Sequence, residues 1–265
     1  LLGLSATDQQ LKLAVPFTDN MILQRDSKVP VWGFDQPGNK ITVKFAGETK
    51  ATEADKNGDW MVKLNPLQAS REERVLAVKN NKGESIMLKG VLVGEVWFSS
   101  GQSNMVWTAG KSMCNELAKQ LASSKEDIPI REINVSTVSA LYPQKKATSE
   151  EGWKKASAAS GFSALSLSFA HELYKELNVP VGILLSAHSN TRIEAFAQRQ
   201  AIEDHPKLEK DTDLMRDADP LTKQGQDAFG RYYKDLKAWQ DEAGKAAEAG
   251  GKVPSRPNLP GIAGM

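Results

Sequence analysis

Gly101-Gln102-Ser103-Asn104 is the segment of this sequence best composed for covalent chemistry. A serine becomes a nucleophile when three conditions meet: exposure on a tight turn, a base to take its proton, and donors facing the developing oxyanion. Gly101 permits the tight turn. A turn leading into a helix also aims backbone N–H groups at an anion. Taken alone, a Ser-Asn turn is usually a helix cap, and local chemistry by itself favours that role. A second polar segment, Ser186-Ala187-His188-Ser189-Asn190-Thr191, contains one of the three histidines of the chain.

Other chemistries find little support. Cys114 is the only cysteine, which excludes an internal disulfide and a Cys/His zinc cluster. It sits in a helix-like run and reads as a small, partly buried apolar residue. No metal site is visible and no cofactor is expected. Lys plus Arg number 34 against 33 Asp plus Glu, a net charge of +1. That balance gives no electrostatic ground for nucleic acid or an anionic membrane as partner. No run approaches the roughly 20 apolar residues of a membrane span. Leu1-Leu2-Gly3-Leu4-Ser5-Ala6 fits the tail of a signal peptide's apolar region before a small-residue cleavage site. It also fits a tag remnant or a strand lead-in. The first alternative leads to the expectation of a secreted or periplasmic protein.

The elements that would position these segments fall into two domains, which 265 residues can accommodate. Residues 1–93 read as a small all-β sandwich. Lys40-Ile41-Thr42-Val43-Lys44-Phe45 alternates with period two, and Asn57-Gly58-Asp59 is a hairpin signal before Trp60-Met61-Val62-Lys63-Leu64. Asn80-Asn81-Lys82-Gly83 joins two further strands. Trp32 and Trp60 fall in strands and are expected in the core, with sugar stacking as the alternative. Residues 94–265 read as a parallel α/β sheet with helices on both faces. The run from Val91 to Phe98 is continuously apolar, as in a strand buried on both faces. Residues 112–123, 162–177 and 191–202 look helical, the second through Leu165, Phe169, Leu173 and Leu177. Arg131-Glu132-Ile133-Asn134-Val135 and Val181-Gly182-Ile183-Leu184-Leu185 read as strands. Residues 203–257 form a charged helical insertion, with a stripe of Phe229, Tyr232, Tyr233, Leu236 and Trp239 that would pack on the α/β domain or cap a cleft.

In an open α/β sheet, ligands sit beyond the carboxyl ends of the strands. Both polar segments occupy such ends. The run Gly90-Val91-Leu92-Val93-Gly94-Glu95-Val96-Trp97-Phe98-Ser99-Ser100-Gly101-Gln102-Ser103-Asn104-Met105 resembles the nucleophile block of the sialate O-acetylesterase family, serine esterases of the SGNH/GDSL type. Phe17-Thr18-Asp19-Asn20-Met21 and Val29-Pro30-Val31-Trp32-Gly33 resemble the opening of that family's N-terminal β domain, and Thr191-Arg192-Ile193-Glu194-Ala195-Phe196 also fits. The likeness covers about residues 11 to 202. It implies an SGNH-type, flavodoxin-like fold, and it implies that Ser103 attacks the acetyl carbonyl of an O-acetylated carbohydrate. A histidine oriented by an aspartate would serve as base. The Ser103 amide would contribute to the oxyanion hole, Gln102 and Asn104 would brace the turn, and His188, Ser189, Thr191 and Glu194 would line the pocket. The segment is not the G-x-S-x-G elbow of another hydrolase class, because Met105 replaces the second glycine.

Two departures stand out. Relatives carry Trp-Gly-Gly-Thr where this chain has His188-Ser189-Asn190-Thr191. Asn190 would still supply an oxyanion amide, since asparagine tolerates left-handed backbone. In the family, the acid–base pair comes after residue 202. Neither His171 nor His205 has suitable surroundings, so that pair is expected beyond residue 265, on a missing C-terminal part that would act as partner. Pro260-Gly261-Ile262-Ala263-Gly264-Met265 resembles the approach to a further strand. The competing readings are a non-catalytic carbohydrate-binding member of the same family and a scaffold in which Ser103 only caps a helix.

Overall fold

The computed structural model describes residues 10–138 and 140–261. The leader expected at residues 1–6 lies outside them, as does most of the strand approach expected at 260–265. The chain divides into two compact units, Leu1–Thr137 with Lys145–Ser189, and Val138–Gln144 with Asn190–Met265.

The first unit is mixed α/β. Its strands are β1 (Lys12–Leu13), β2 (Ile22–Gln24), β3 (Val29–Phe34), β4 (Lys40–Phe45), β5 (Glu48–Glu53), β6 (Asp59–Leu64), β7 (Ser70–Asn80), β8 (Ser85–Gly101), β9 (Ile130–Asn134), β10 (Lys154–Lys155) and β11 (Val181–Ala187). Its helices are α1 (Ser103–Val106), α2 (Asn115–Ala122) and α3 (Ala164–Leu177). One antiparallel sheet runs β1-β3-β6; a larger sheet runs β10-β9-β11-β8-β7-β4-β5, with β2 beside β8. The alternation expected at residues 40–45 is observed: Ile41, Val43 and Phe45 are buried, whereas Lys40 and Lys44 are exposed. These side chains share one apolar core with Val31, Val62 and Leu64 of the smaller sheet and Leu76 and Val78 of β7.

β8 runs for 17 residues and serves both layers. Its first part pairs antiparallel with β7 from Lys79↔Ser85 onward. Its last seven pairs are parallel to β11, from Val181↔Glu95 to Ala187↔Gly101. β11 is in turn parallel to β9. The domain boundary expected at residue 93 therefore falls inside a continuous strand. A second apolar core gathers Leu121, Ile130, Phe162, Leu167, Ala170, Val181, Ile183 and Leu185.

Several elements differ from expectation. Asn57-Gly58-Asp59 does not close a hairpin, because β5 pairs with β4 and β6 pairs with β3. The turn carries the chain from one sheet to the other. Asp55 fixes it by accepting the amides of Asn57 and Asp59 at 2.8 and 3.0 Å. β8 is buried only in its middle: Trp97 is 44% and Phe98 67% exposed. α3 buries Ala164, Leu167 and Ala170 rather than Leu165 and Phe169. Its small side chains let the helix approach the sheet, while Phe169 stands edge-on to Trp97 at 5.1 Å.

The second unit contains α4 (Arg199–Glu203), α5 (Glu209–Asp217) and α6 (Lys223–Glu248). The helix expected over residues 191–202 is broken by extended backbone at Ala197 and Gln198. Fully buried Asp219 accepts from Tyr142 Oη, from Arg199 at 3.0 Å and from the Leu221 amide at 3.0 Å. The aromatic stripe of α6 is used within its own unit: Arg256 donates to Tyr232 Oη, and Trp239 Nε1 donates to Pro254 O, both at 2.9 Å.

Arg131, on β9, is the largest fully buried side chain. Its guanidinium donates to Asn20 O at 2.7 Å, to Gly90 O, and to Glu73 at 3.2 Å. It thereby joins the β2 approach, the β7–β8 pair and the parallel strands. Arg131→Leu removes the donors from these carbonyls and is expected to cost on the order of 3 kcal/mol, read as a lower urea midpoint. An unchanged midpoint would show that the guanidinium is not a structural pin.

Candidate active site

β8 ends at Gly101 and α1 begins at Ser103, so one residue, Gln102, separates strand from helix. Gly101 makes this abrupt change possible, with φ of +144°. A Cβ there would lie 2.9 Å from Met105 Cγ, too close without movement. The Gln102 side chain does not cap α1, and the first amides of a helix have no intrahelical acceptor. Gln102 and Asn104 are exposed and Ser103 is half-buried. Trp107 N–H closes the short helix onto Ser103 O at 3.1 Å.

The parallel ladder brings the two polar segments together. His188 N–H donates to Gly101 O at 3.0 Å, directly after the last β11–β8 pair. His188 and Ser189 are exposed at this end of the sheet. Asn190, Thr191 and Glu194 belong to the second unit. Asn190 has φ of 57°, the left-handed conformation expected of the residue that replaces a glycine. Glu194 accepts from Arg192 at 2.8 Å; its backbone amide, then this guanidinium, hold its carboxyl below the usual range. The remaining histidines have their own contacts: His171 Nδ1 lies 3.5 Å from Glu172, and His205 Nδ1 accepts from Lys207 N–H at 3.3 Å. Among the described residues no cluster of His, Cys, Asp or Glu could hold a metal ion.

One buried acidic residue of the sheet was passed over in sequence reading. Glu132, in the middle of β9, is 5% exposed. Both of its carboxylate oxygens lie 3.2 Å from the Ser163 amide. Burial pushes the carboxyl up to about 8, against opposing pulls from that amide and from Lys154. The only signal in the sequence was a carboxylate one residue from the apolar Ile133 within a strand pattern. A cavity of about 400 Å³ lies elsewhere, on the β layer, lined by Trp32, Phe34, Asp59, Trp60, Met61 and Lys145. None of the expected site residues lines it. Trp60 is buried there as expected, while Trp32 packs edge-on against Phe17 at 4.6 Å.

No family model matches the chain. The sialate O-acetylesterase of Homo sapiens is 30% identical over 211 residues, covering 72% of this chain and 39% of that protein. The Mus musculus enzyme of the same name is 29% identical over 204 residues, covering 70% of this chain and 37% of its own. Among solved structures, a carbohydrate acetylesterase from Xanthomonas citri superposes with a TM-score of 0.66 at 32% identity, covering 73% of this chain and 44% of that one. The resemblance carried by Gly90 to Met105 thus extends over most of the chain, which spans about two fifths of the curated relatives it matches.

The raised carboxyl of Glu132 has a definite consequence for stability. Its folded value of about 8 exceeds the ordinary 4.5, so the fold favours the protonated form. The stabilisation is complete below about pH 4.5 and is lost as pH rises to about 8. The urea midpoint is expected to fall between about pH 5 and 8, and to fall much less in Glu132→Gln. Equal pH dependence in both proteins would contradict this assignment.

Proposed function

We propose that this chain is the nucleophile-bearing part of a serine esterase that removes O-acetyl groups from carbohydrates. The observation that carries the reading is the Gly101-Gln102-Ser103 turn, which sets a half-buried serine at the start of a helix, straight off a parallel strand. The sialate O-acetylesterases and the carbohydrate acetylesterase that resemble the chain supply the chemical class. In this reading β9, β11 and the last part of β8 belong to the SGNH-type, flavodoxin-like layer and the β1–β7 region forms an N-terminal sandwich domain, with residues 203–257 inserted into the α/β domain.

Ser103 Oγ adds to the acetyl carbonyl as a base takes its proton, and the tetrahedral oxyanion is met by the Ser103 amide. Collapse expels the sugar hydroxylate, which takes up the proton. Water then attacks the acetyl-serine by the same route and releases acetate. Gly101 supplies the backbone freedom for the turn, while Gln102 and Asn104 brace it. Asn190, in left-handed backbone, is assigned as a second oxyanion donor, and His188, Ser189, Thr191 and Glu194 as pocket residues. The acid–base pair belongs to the C-terminal portion of such an enzyme. Among the described residues no helix is long and apolar enough to cross a membrane; export is part of the proposal, resting on the first residues of the sequence.

In the full-length protein, Ser103→Ala is expected to lower acetate release from acetylated xylan and from 4-nitrophenyl acetate by about 10⁴-fold, with an unchanged melting temperature. Retained hydrolysis in Ser103→Ala would place the nucleophile elsewhere. Binding of the glycan without hydrolysis by the unaltered protein would favour a non-catalytic carbohydrate-binding member.

A further inference from the structure

The segment that follows Ser103 is held by backbone bonds to the start of α3. Thr108 and Ser163 form an isolated antiparallel bridge. On either side of it, Ala109 N–H donates to Phe162 O at 2.8 Å and Ala164 N–H donates to Trp107 O at 2.9 Å. Ser163 is 1% exposed, and its hydroxyl caps α3 by accepting the Ser166 amide at 3.4 Å. What faces the Ser163 amide is the Glu132 carboxylate, both oxygens at 3.2 Å. Glu132 stands on β9, opposite Ile183 of β11, the strand whose far end meets Gly101. A chain of contacts thus runs from the centre of the sheet, through Ser163, to the residues immediately after α1.

We propose that Glu132 is a positioning residue for Ser103: its buried carboxyl anchors the 107–109/162–164 clamp, and its ionisation loosens the segment that holds the serine turn. The proposal rests on the reading of Ser103 as nucleophile.

The direction follows from solvation. Opening the clamp would admit water to Glu132 and return its carboxyl towards the ordinary range. The closed clamp therefore binds the proton more tightly than the open one, and a rise in pH shifts the balance towards opening. The Ser163 amide, a better partner for the ionised carboxyl, and then Lys154 oppose this, and burial outweighs both. The charged group facing Glu132 is Lys154, its register partner on β10, which is itself ion-paired with Glu151. Ile183 and the Ser163 cap carry no charge. Arg131 and Lys155 pair instead with Glu73 and Asp127. A glutamine at 132 would keep a carbonyl acceptor for the Ser163 amide without a titrating group. A leucine would leave that buried amide without an acceptor.

Hydrogen exchange read by mass spectrometry tests the proposal, with rates corrected for the intrinsic pH dependence of amide exchange. In the unaltered protein, protection of residues 103–109 is expected to fall as pH rises from about 6 to 8, by up to tenfold per pH unit. In Glu132→Gln that slope should vanish. In Glu132→Leu, protection at 103–109 and 162–166 should be at least about tenfold lower at pH 6, with peptides of β3 and β6 unchanged. The proposal is overturned if Glu132→Gln keeps the slope, or if Glu132→Leu exchanges like the unaltered protein at 103–109. Should Glu132→Leu not fold, the comparison with Glu132→Gln decides alone. Exchange does not depend on catalysis, so failure of Ser103 to react would count against the esterase reading and not against the clamp. Where Ser103 reacts, its fluorophosphonate labelling rate should lose its Glu132-dependent fall above pH 7 in Glu132→Gln.

Discussion

The register between β8 and β11 is the constraint on which the rest of the first unit depends. A parallel ladder allows no sliding by one residue without turning every side chain to the opposite face. Here it is fixed at one end by buried Val181 against Glu95 and at the other by Ala187 against Gly101. Because both strands stop together, the two polar segments leave the sheet side by side, and the His188 amide reaches Gly101 O. The same strand reaches back into the β layer, where its earlier residues pair with β7 and β2. One continuous β8 thus transmits the rigidity of the antiparallel layer to the turn that carries Ser103.

Two buried ionisable groups on neighbouring positions of β9 serve this arrangement in opposite ways. Arg131 turns towards the β layer and satisfies backbone carbonyls of Asn20 and Gly90, binding distant segments of the chain to the sheet. Glu132 is directed to the helix layer and meets the Ser163 amide. Alternation along a strand sends adjacent side chains to opposite faces, so one dipeptide serves both layers. A buried guanidinium surrounded by acceptors remains charged. A buried carboxyl with one amide and a lysine already paired with Glu151 is shifted by burial instead.

What the sequence made legible was local. The glycine-serine turn after a strand, the alternation at residues 40–45 and the turn at residues 80–83 each depend on neighbours along the chain, and each is found in the structure. What escaped depends on partners far away. Asn57-Gly58-Asp59 has hairpin composition, yet which strand β6 joins is decided by β3, twenty-odd residues earlier. The large residues of α3 mark a convincing helical stripe, but the small ones allow close packing and take the buried face. Phe98 and Trp97 belong to an apolar run, yet burial depends on what covers them. Glu132 reads as an ordinary strand residue until Ser163 is brought to it. Of the expected site, the Ser103 turn and its contact with the His188 segment were legible. A base for the proposed nucleophile was not, because the three histidines of this sequence offer no patterned partner.

The most direct test of the central claim is the intact mass of the protein after treatment with a fluorophosphonate, with Ser103→Ala alongside. The account predicts a single adduct on the unaltered protein, mapped to Ser103 and absent from Ser103→Ala. No adduct on the full-length protein, or one that survives in Ser103→Ala, would contradict the assignment of Ser103 as an activated nucleophile.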